Sequence, residues 1–288
     1  MTADHYPVVS IVLGSYNRKR FLKKTIQSVR EELENAQFKS EIIVIDGGSR
    51  DGSLGWLKKQ KDIITIIQHN RGTWKGNPIK RRSWGYFMNL GFKCAQGKYI
   101  CMISDDCLVV PGAIINGFNQ FEKEIGCGNN IGAIAFNWRN WPEMDNYWIG
   151  YTLGDKLFVN HGMYLNEALK EVGYIDEDTY HFYHADGDLC LKLWNNNFSI
   201  IKAEDSSIEH FSHANFKVRK SNLSQQKKDW QNYLNKWTGI FYDPKNDNHG
   251  FFERDETKVN DDLVKKYWKF CWLKVMIFRK LHRLFQND

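Results

Sequence analysis

Short, nearly continuous apolar runs constrain this chain more than any other feature. Val8-Val9-Ser10-Ile11-Val12-Leu13, Glu41-Ile42-Ile43-Val44-Ile45, Ile63-Ile64-Thr65-Ile66-Ile67 and Tyr99-Ile100-Cys101-Met102-Ile103 are each long enough for one strand. A strand that is apolar at successive positions sends side chains to both faces of its sheet, so both faces must be covered. The segments between them, Phe21 to Leu33 and Lys80 to Cys94, read as helices. This β-α-β-α-β order implies right-handed crossovers and a mostly parallel sheet flanked by helices.

The last run stops at Ser104-Asp105-Asp106-Cys107, where two adjacent carboxylates follow a buried-looking strand. In open α/β sheets ligands bind beyond the carboxyl ends of the strands. Two acids placed there are either neutralised by a hard cation such as Mg²⁺ or Mn²⁺, or cap the next element. Further acids stand at a strand end, Asp46, and at a helix start, Asp186 and Asp188. Asp46 serves equally as a helix N-cap. The turn Gly14-Ser15-Tyr16-Asn17 offers small and polar groups plus an aromatic ring. Neither a G-x-G-x-x-G nor a G-x-x-x-x-G-K-[ST] pattern follows the first strand, which removes the main support for dinucleotide and P-loop readings.

The net charge of +6 over 288 residues suits anionic ligands without the concentrated basic patch of a nucleic-acid binder. The six cysteines include no C-x-x-C pair, which points to a reducing compartment. The first residues lack the plan of a signal peptide, and no segment has the roughly 18 uncharged apolar residues of a membrane span. The expected location is therefore cytoplasmic, at the inner face of the membrane.

Past Pro111 the pattern is less regular. Ile131 to Phe136 reads as a strand, 137–160 as loops, Asp186 to Trp194 as a helix and Ser206 to His210 as a short extended exit. From about residue 216 the composition shifts towards Lys, Gln, Asn and Trp. The expected division is a catalytic domain over 1–215, with halves at 1–107 and 108–215, and a helical extension over 216–288.

The order of these motifs resembles the inverting family 2 glycosyltransferases of the GT-A fold. Ser10 to Arg18 looks like that family's opening strand and turn, and Glu41 to Ser53 like its second motif. Asn70-Arg71-Gly72, Asn89-Leu90-Gly91, Ala95 and Gly97-Lys98-Tyr99-Ile100 match the run towards the metal motif, where Ser104-Asp105-Asp106 stands. Val172-Gly173-Tyr174-Ile175-Asp176-Glu177 and Ala185 to Leu193 resemble the acceptor motif and the catalytic-base helix. The resemblance implies that Asp186 is the general base, that Asp106 and His210 hold Mn²⁺ or Mg²⁺, and that Asp105 contacts the ribose or the metal through water. It implies a nucleotide-sugar site formed by Gly14, Ser15, Tyr16, Asn17, Asp46, Ser49, Arg82 and Asp105, with Asp46 reading the base. His213 is a rival to His210. Where the family carries Glu-Asp, this chain has Ala185-Asp186.

The implied activity is metal-dependent transfer of a sugar from a nucleotide-diphosphate donor to a glycan or lipid-linked hydroxyl, in bacterial surface polysaccharide synthesis. A catalytically silent carbohydrate-binding protein on the same fold is the alternative, with Ala185 in its favour. A sugar-nucleotide pyrophosphorylase would need a Gly-rich phosphate loop, which Gly14-Ser15-Tyr16-Asn17 is not. Trp138, Trp141, Tyr147 and Trp148 are candidates for stacking on an acceptor sugar or for core packing. Val264 to Phe285 interleaves cations with aromatics, the plan of a helix that lies on a membrane or packs on protein.

Overall fold

The structure, a computed structural model, describes residues 6–211, 216–246, 249–257 and 259–269. His213, Cys271 and most of the basic-aromatic tail therefore lie outside the described residues.

The first half alternates strand and helix. β1 (Val9–Ser15), α1 (Lys19–Leu33), β2 (Ser40–Asp46), α2 (Ser53–Leu57) and β3 (Ile63–Ile67) are followed by a two-stranded hairpin, β4 (Thr73–Trp74) and β5 (Asn77–Pro78). α3 (Trp84–Cys94), β6 (Tyr99–Met102), β7 (Cys107–Val109) and α4 (Ala113–Gly126) complete it. Next come β8 (Ile131–Trp141), β9 (Trp148–Thr152), β10 (Lys156–Phe158), β11 (Gly162–Leu165), α5 (Asn166–Glu171), α6 (Ala185–Asn195) and β12 (Ser199–Phe211). α7 (Phe216–Trp237) and β13 (Phe252–Arg254) come last.

The main sheet runs β3-β2-β1-β6-β11-β8-β9-β10, with β12 pairing β7 and β8 and β13 pairing β9. β3, β2, β1 and β6 are parallel, as their unbroken apolar runs require. β11 enters antiparallel to β6, and the sheet is mixed from there on. Alternation along β1 and β2 supplies both faces. Val12, Ile43 and Ile45 pack with α3, α5, α6 and α7, while Ile11, Leu13, Ile42 and Val44 pack with α1 and α4. Each such fully buried side chain contributes about 1.5–3 kcal/mol. Gly91 lets α3 lie close on the sheet, because a Cβ there would collide with Val12 and Ile45.

The segment expected as loop over 137–160 is mostly strand: β8 runs five residues past Phe136, and β9 and β10 come after it. Aromatic and β-branched residues fit a pleated, half-buried surface, which outweighs the Asn content. β12 is likewise longer than its expected exit segment, with register shifts against β8 that let it bend. α3 begins at Trp84 rather than Lys80, because the Ser83 hydroxyl caps the Tyr86 N–H.

Elements past residue 215 are woven into the rest. β13 extends the sheet beside β9. Val264, Tyr267 and Trp268, the described start of the basic-aromatic tail, are buried with Leu108, Trp141 and Phe211. Among the described residues no helix is long and apolar enough to cross a membrane.

Candidate active site

A cavity of about 420 Å³ opens at the carboxyl ends of β1 and β6. Gly14, Ser15, Tyr16, Arg82, Asp105, Asp106, Asp186 and His210 all line it. These eight expected site residues converge from five separate stretches of chain.

The acidic pair sits where β6 ends and β7 begins. α1 fixes its backbone from below, since the Thr25 hydroxyl lies 2.9 Å from the Asp105 carbonyl and 2.7 Å from that of Cys107. Phe211 donates its N–H to the Asp106 carbonyl, tying the turn to β12. A single nitrogen of Arg18 reaches Asp105 Oδ1 at 2.8 Å and Asp106 Oδ2 at 2.7 Å. Burial opposes the charge on Asp105 and, with Asp106 beside it, raises its pKa despite Arg18. Burial opposes the charge on Asp106 too, but Arg18 and His210 outweigh it and hold that carboxyl below its ordinary value. His210 is the cross-strand partner of Cys107 and is oriented by Asn140, whose Oδ1 lies 2.6 Å from His210 Nδ1.

These residues fit a divalent cation. Asp106 Oδ1 is buried without a hydrogen-bond partner and lies 3.5 Å from His210 Nε2. Asp106, Cys107 and His210 each offer a ligand atom within 4.8 Å of the others. Burial pushes the Cys107 thiol well above its usual range, which leaves the carboxylate and imidazole as the ready donors, a set suited to Mn²⁺ or Mg²⁺.

Three expected contacts lie behind the wall instead of on it. Asp46 is fully buried, and its Oδ1 accepts from the Gly48 and Ser49 N–H groups at 2.8 and 2.6 Å. It closes the turn, which Gly48 completes at φ 85°, and Gly47 faces the cavity in its place. Its other oxygen, Oδ2, is buried with no hydrogen-bond partner among the described residues. Asn17 and Ser49 lock the two turns together: the Asn17 N–H donates to Ser49 Oγ, and Asn17 Oδ1 accepts from the Arg50 N–H.

From the cationic run Lys80-Arg81-Arg82, sequence reasoning put only Arg82 forward as a site residue. Arg18, Arg71 and Arg81 line the cavity together with the expected Arg82. The Arg71 guanidinium lies 5.4 Å from the Tyr16 ring centroid, and that of Arg82 5.0 Å from the Tyr86 ring. Asn70 pins the Arg82 backbone from both sides. The signal was present in Asn70-Arg71-Gly72 and Lys80-Arg81-Arg82, but the two runs look unrelated until the β4–β5 hairpin brings them together.

Asp186 stands in the first turn of α6, where the helix dipole favours a negative charge. Its Oδ1 accepts from the Gly187 N–H, and burial raises its pKa against that bond and the nearby His184. No cation is bonded to it among the described residues. Asp188, two residues on, is buried and belongs to the scaffold. It accepts from Tyr180 Oη, Trp237 Nε1 and Lys236 Nζ, which ties α6 to α7. Asp229 of α7 acts similarly on the loop before Asp186, accepting the N–H groups of His181, Phe182 and Tyr183, each at 2.9 Å. Nothing local in the sequence marks Asp229.

The aromatic residues on the cavity wall are Tyr16, Trp84, Phe87, Phe182 and Tyr183. Trp138, Trp141 and Tyr147 are buried elsewhere and Trp148 lies in β9, which accords with the packing alternative for the first three. Tyr147 donates to Glu209, which also holds buried Arg139.

The family model described as glycosyl transferase family 2 matches residues 10–221. Protein CgeD of Bacillus subtilis is 24% identical over 204 residues, covering 66% of this chain and 46% of CgeD. Undecaprenyl-phosphate 4-deoxy-4-formamido-L-arabinose transferase of Pseudomonas syringae is 24% identical over 48% of this chain and 40% of its own length. The chain thus spans less than half the length of these curated relatives. Among solved structures, the mannosyltransferase PcManGT of Pyrobaculum calidifontis, in complex with GDP-Man and Mn²⁺, superposes with a TM-score of 0.57. That pair is 14% identical, over 81% of this chain and 64% of the other. S. aureus TarS 1-349 with UDP-GlcNAc gives 0.52 at 15% identity, over 71% of this chain and 58% of that fragment. These likenesses show the GT-A fold.

Proposed function

The chain belongs to glycosyl transferase family 2, and we propose that it moves a sugar, with inversion, from a nucleotide-diphosphate donor to a hydroxyl of a surface-glycan or lipid-linked acceptor. The observation that carries this reading is the sharing of one cavity by two unlike acidic centres: Asp105 and Asp106, paired with Arg18, and Asp186, to which no cation is bonded among the described residues.

Gly14, Ser15 and Tyr16 form the wall against which the nucleotide lies, and Arg71, Arg81 and Arg82 face its phosphates. A divalent cation, held by Asp106 and His210, would supply charge neutralisation on the leaving diphosphate. Asp186 accepts the proton of the acceptor hydroxyl as that oxygen bonds to the anomeric carbon and the bond to the diphosphate breaks on the opposite face. A raised carboxyl pKa suits a base that must hold the proton it takes. The ring of Phe182, 38% exposed, stands with Trp84 on the same wall and offers an apolar face to a sugar. Relatives and structural neighbours support the substrate classes: one acts as an undecaprenyl-phosphate sugar transferase, and others hold GDP-Man or UDP-GlcNAc.

The test is transfer from radiolabelled nucleotide sugars in membrane extracts, by wild type and Asp186→Asn, with nucleotide binding measured in parallel. Loss of transfer with binding retained supports the base role. Equal loss of both removes it, and binding without transfer in wild type favours a silent binder.

A further inference from the structure

We propose that Arg18 makes cation binding at the acidic pair conditional on a nucleoside diphosphate. The inference rests on the metal-dependent reading above and deepens it.

Arg18 divides the acidic pair into two edges. Its Nη1 occupies Asp105 Oδ1 and Asp106 Oδ2, at 2.8 and 2.7 Å. The other two oxygens, Asp105 Oδ2 and Asp106 Oδ1, are buried and have no hydrogen-bond partner among the described residues. Asp106 Oδ1 is the one beside His210 Nε2. A cation can therefore reach its carboxylate and imidazole ligands without expelling Arg18, and the guanidinium stays next to it.

The local charge balance makes the nucleotide necessary. Two carboxylates and one guanidinium leave a single net negative charge, and Arg is never deprotonated in proteins. A dication arriving alone meets that one charge, with the Asp186 carboxylate elsewhere on the wall, against the neighbouring guanidinium and Arg71, Arg81 and Arg82. The burial of the acidic pair strengthens the repulsion. A diphosphate reverses the balance, because its oxygens ligate the cation and neutralise the arginines together. Arg18 is 21% exposed at its side chain and lines the cavity in which that diphosphate would lie. The coupling is reciprocal: whatever factor the nucleotide adds to cation affinity, the cation adds to nucleotide affinity.

The experiment is titration with Mn²⁺, following the loss of the free-ion paramagnetic resonance signal, with and without UDP or GDP. It uses wild type, Arg18→Gln, Arg18→Met and Arg18→Lys, each checked for folding by circular dichroism. Wild type should hold Mn²⁺ at least tenfold more tightly with one of the nucleotides than without. Arg18→Gln or Arg18→Met should bind Mn²⁺ alone at least tenfold more tightly than wild type and lose most of the nucleotide's enhancement. Arg18→Lys, which keeps the charge, should behave like wild type. Wild-type titrations decide the conditional binding even if both neutral variants misfold: equal Mn²⁺ affinity with and without nucleotide overturns the proposal. A neutral variant that folds and binds Mn²⁺ alone no better than wild type overturns the role of Arg18 while leaving the metal site standing. No Mn²⁺ binding by any protein under any condition overturns both that role and the metal-dependent reading.

Discussion

The cavity holds two acidic centres that look alike in sequence and differ in what surrounds them. Asp105 and Asp106 share one arginine nitrogen, and Asp106 also faces His210. Asp186 has a helix N-terminus and the Gly187 N–H, with His184 nearby. Burial works against charge at both places. At Asp106 the cations win and the carboxyl is held low; at Asp186 burial wins and the carboxyl is raised. The lesson is that a carboxylate's task depends on its counter-charges. A permanently ionised group suits cation and phosphate chemistry, and one that readily takes a proton suits a base.

The strongest test of this contrast is Asp186→Asn. Transfer should fall by about 10²–10⁴, the usual worth of general-base help, with nucleotide affinity unchanged by calorimetry. A similar fall in affinity would erase the distinction between the two centres. Asp106→Asn should act in the opposite sense, weakening Mn²⁺-dependent nucleotide binding roughly 10–100-fold, as expected for a charge-assisted contact of about 1.5–3 kcal/mol. Asp229→Ala would release the three N–H groups that position the loop before Asp186. It should cost about 1–3 kcal/mol in denaturant unfolding and lower the transfer rate while leaving Mn²⁺–nucleotide binding near wild type.

Protonation produces two smaller effects. Asp186 must be ionised to accept a proton, so activity should fall on the acid side with a midpoint above the ordinary aspartate value of about 3.9, read from a kcat/KM–pH profile. Its folded pKa exceeds its unfolded one. The native state therefore binds more protons between the two values, and stability declines as pH rises through that window. Asp186→Asn should accordingly melt above wild type at neutral pH. Asp106, with its folded pKa depressed, contributes stability above the unfolded value that is lost as pH falls through the folded one. Asp106→Asn should melt below wild type, and the opposite signs sharpen the comparison.

Legibility in the sequence tracked the range of the interaction. Strands β1, β2, β3 and β6 and the helices between them were readable because burial on both faces writes a local apolar pattern. Asp105, Asp106, Asp186 and His210 were singled out because each sits in a recognisable motif, and the fold brings them to one cavity. Asp46, Asn17 and Ser49 stood out as polar turn residues, but that they hydrogen-bond within and between the two turns depends on side-chain direction. Trp138, Trp141 and Tyr147 looked like loop aromatics until strand pairing buried them.

By itself the sequence determined the α/β class, the order of the strands' acidic ends and the family, because apolar periodicity and motif spacing are local and additive. Only the tertiary structure decided which charges meet. Arg18 reaches across 87 residues to Asp105 and Asp229 across 48 to the His181 N–H, while Arg71 and Arg81 join one wall. A carboxylate's environment is the sum of everything folded around it, and the partners that set its charge come from distant segments whose meeting no local pattern records.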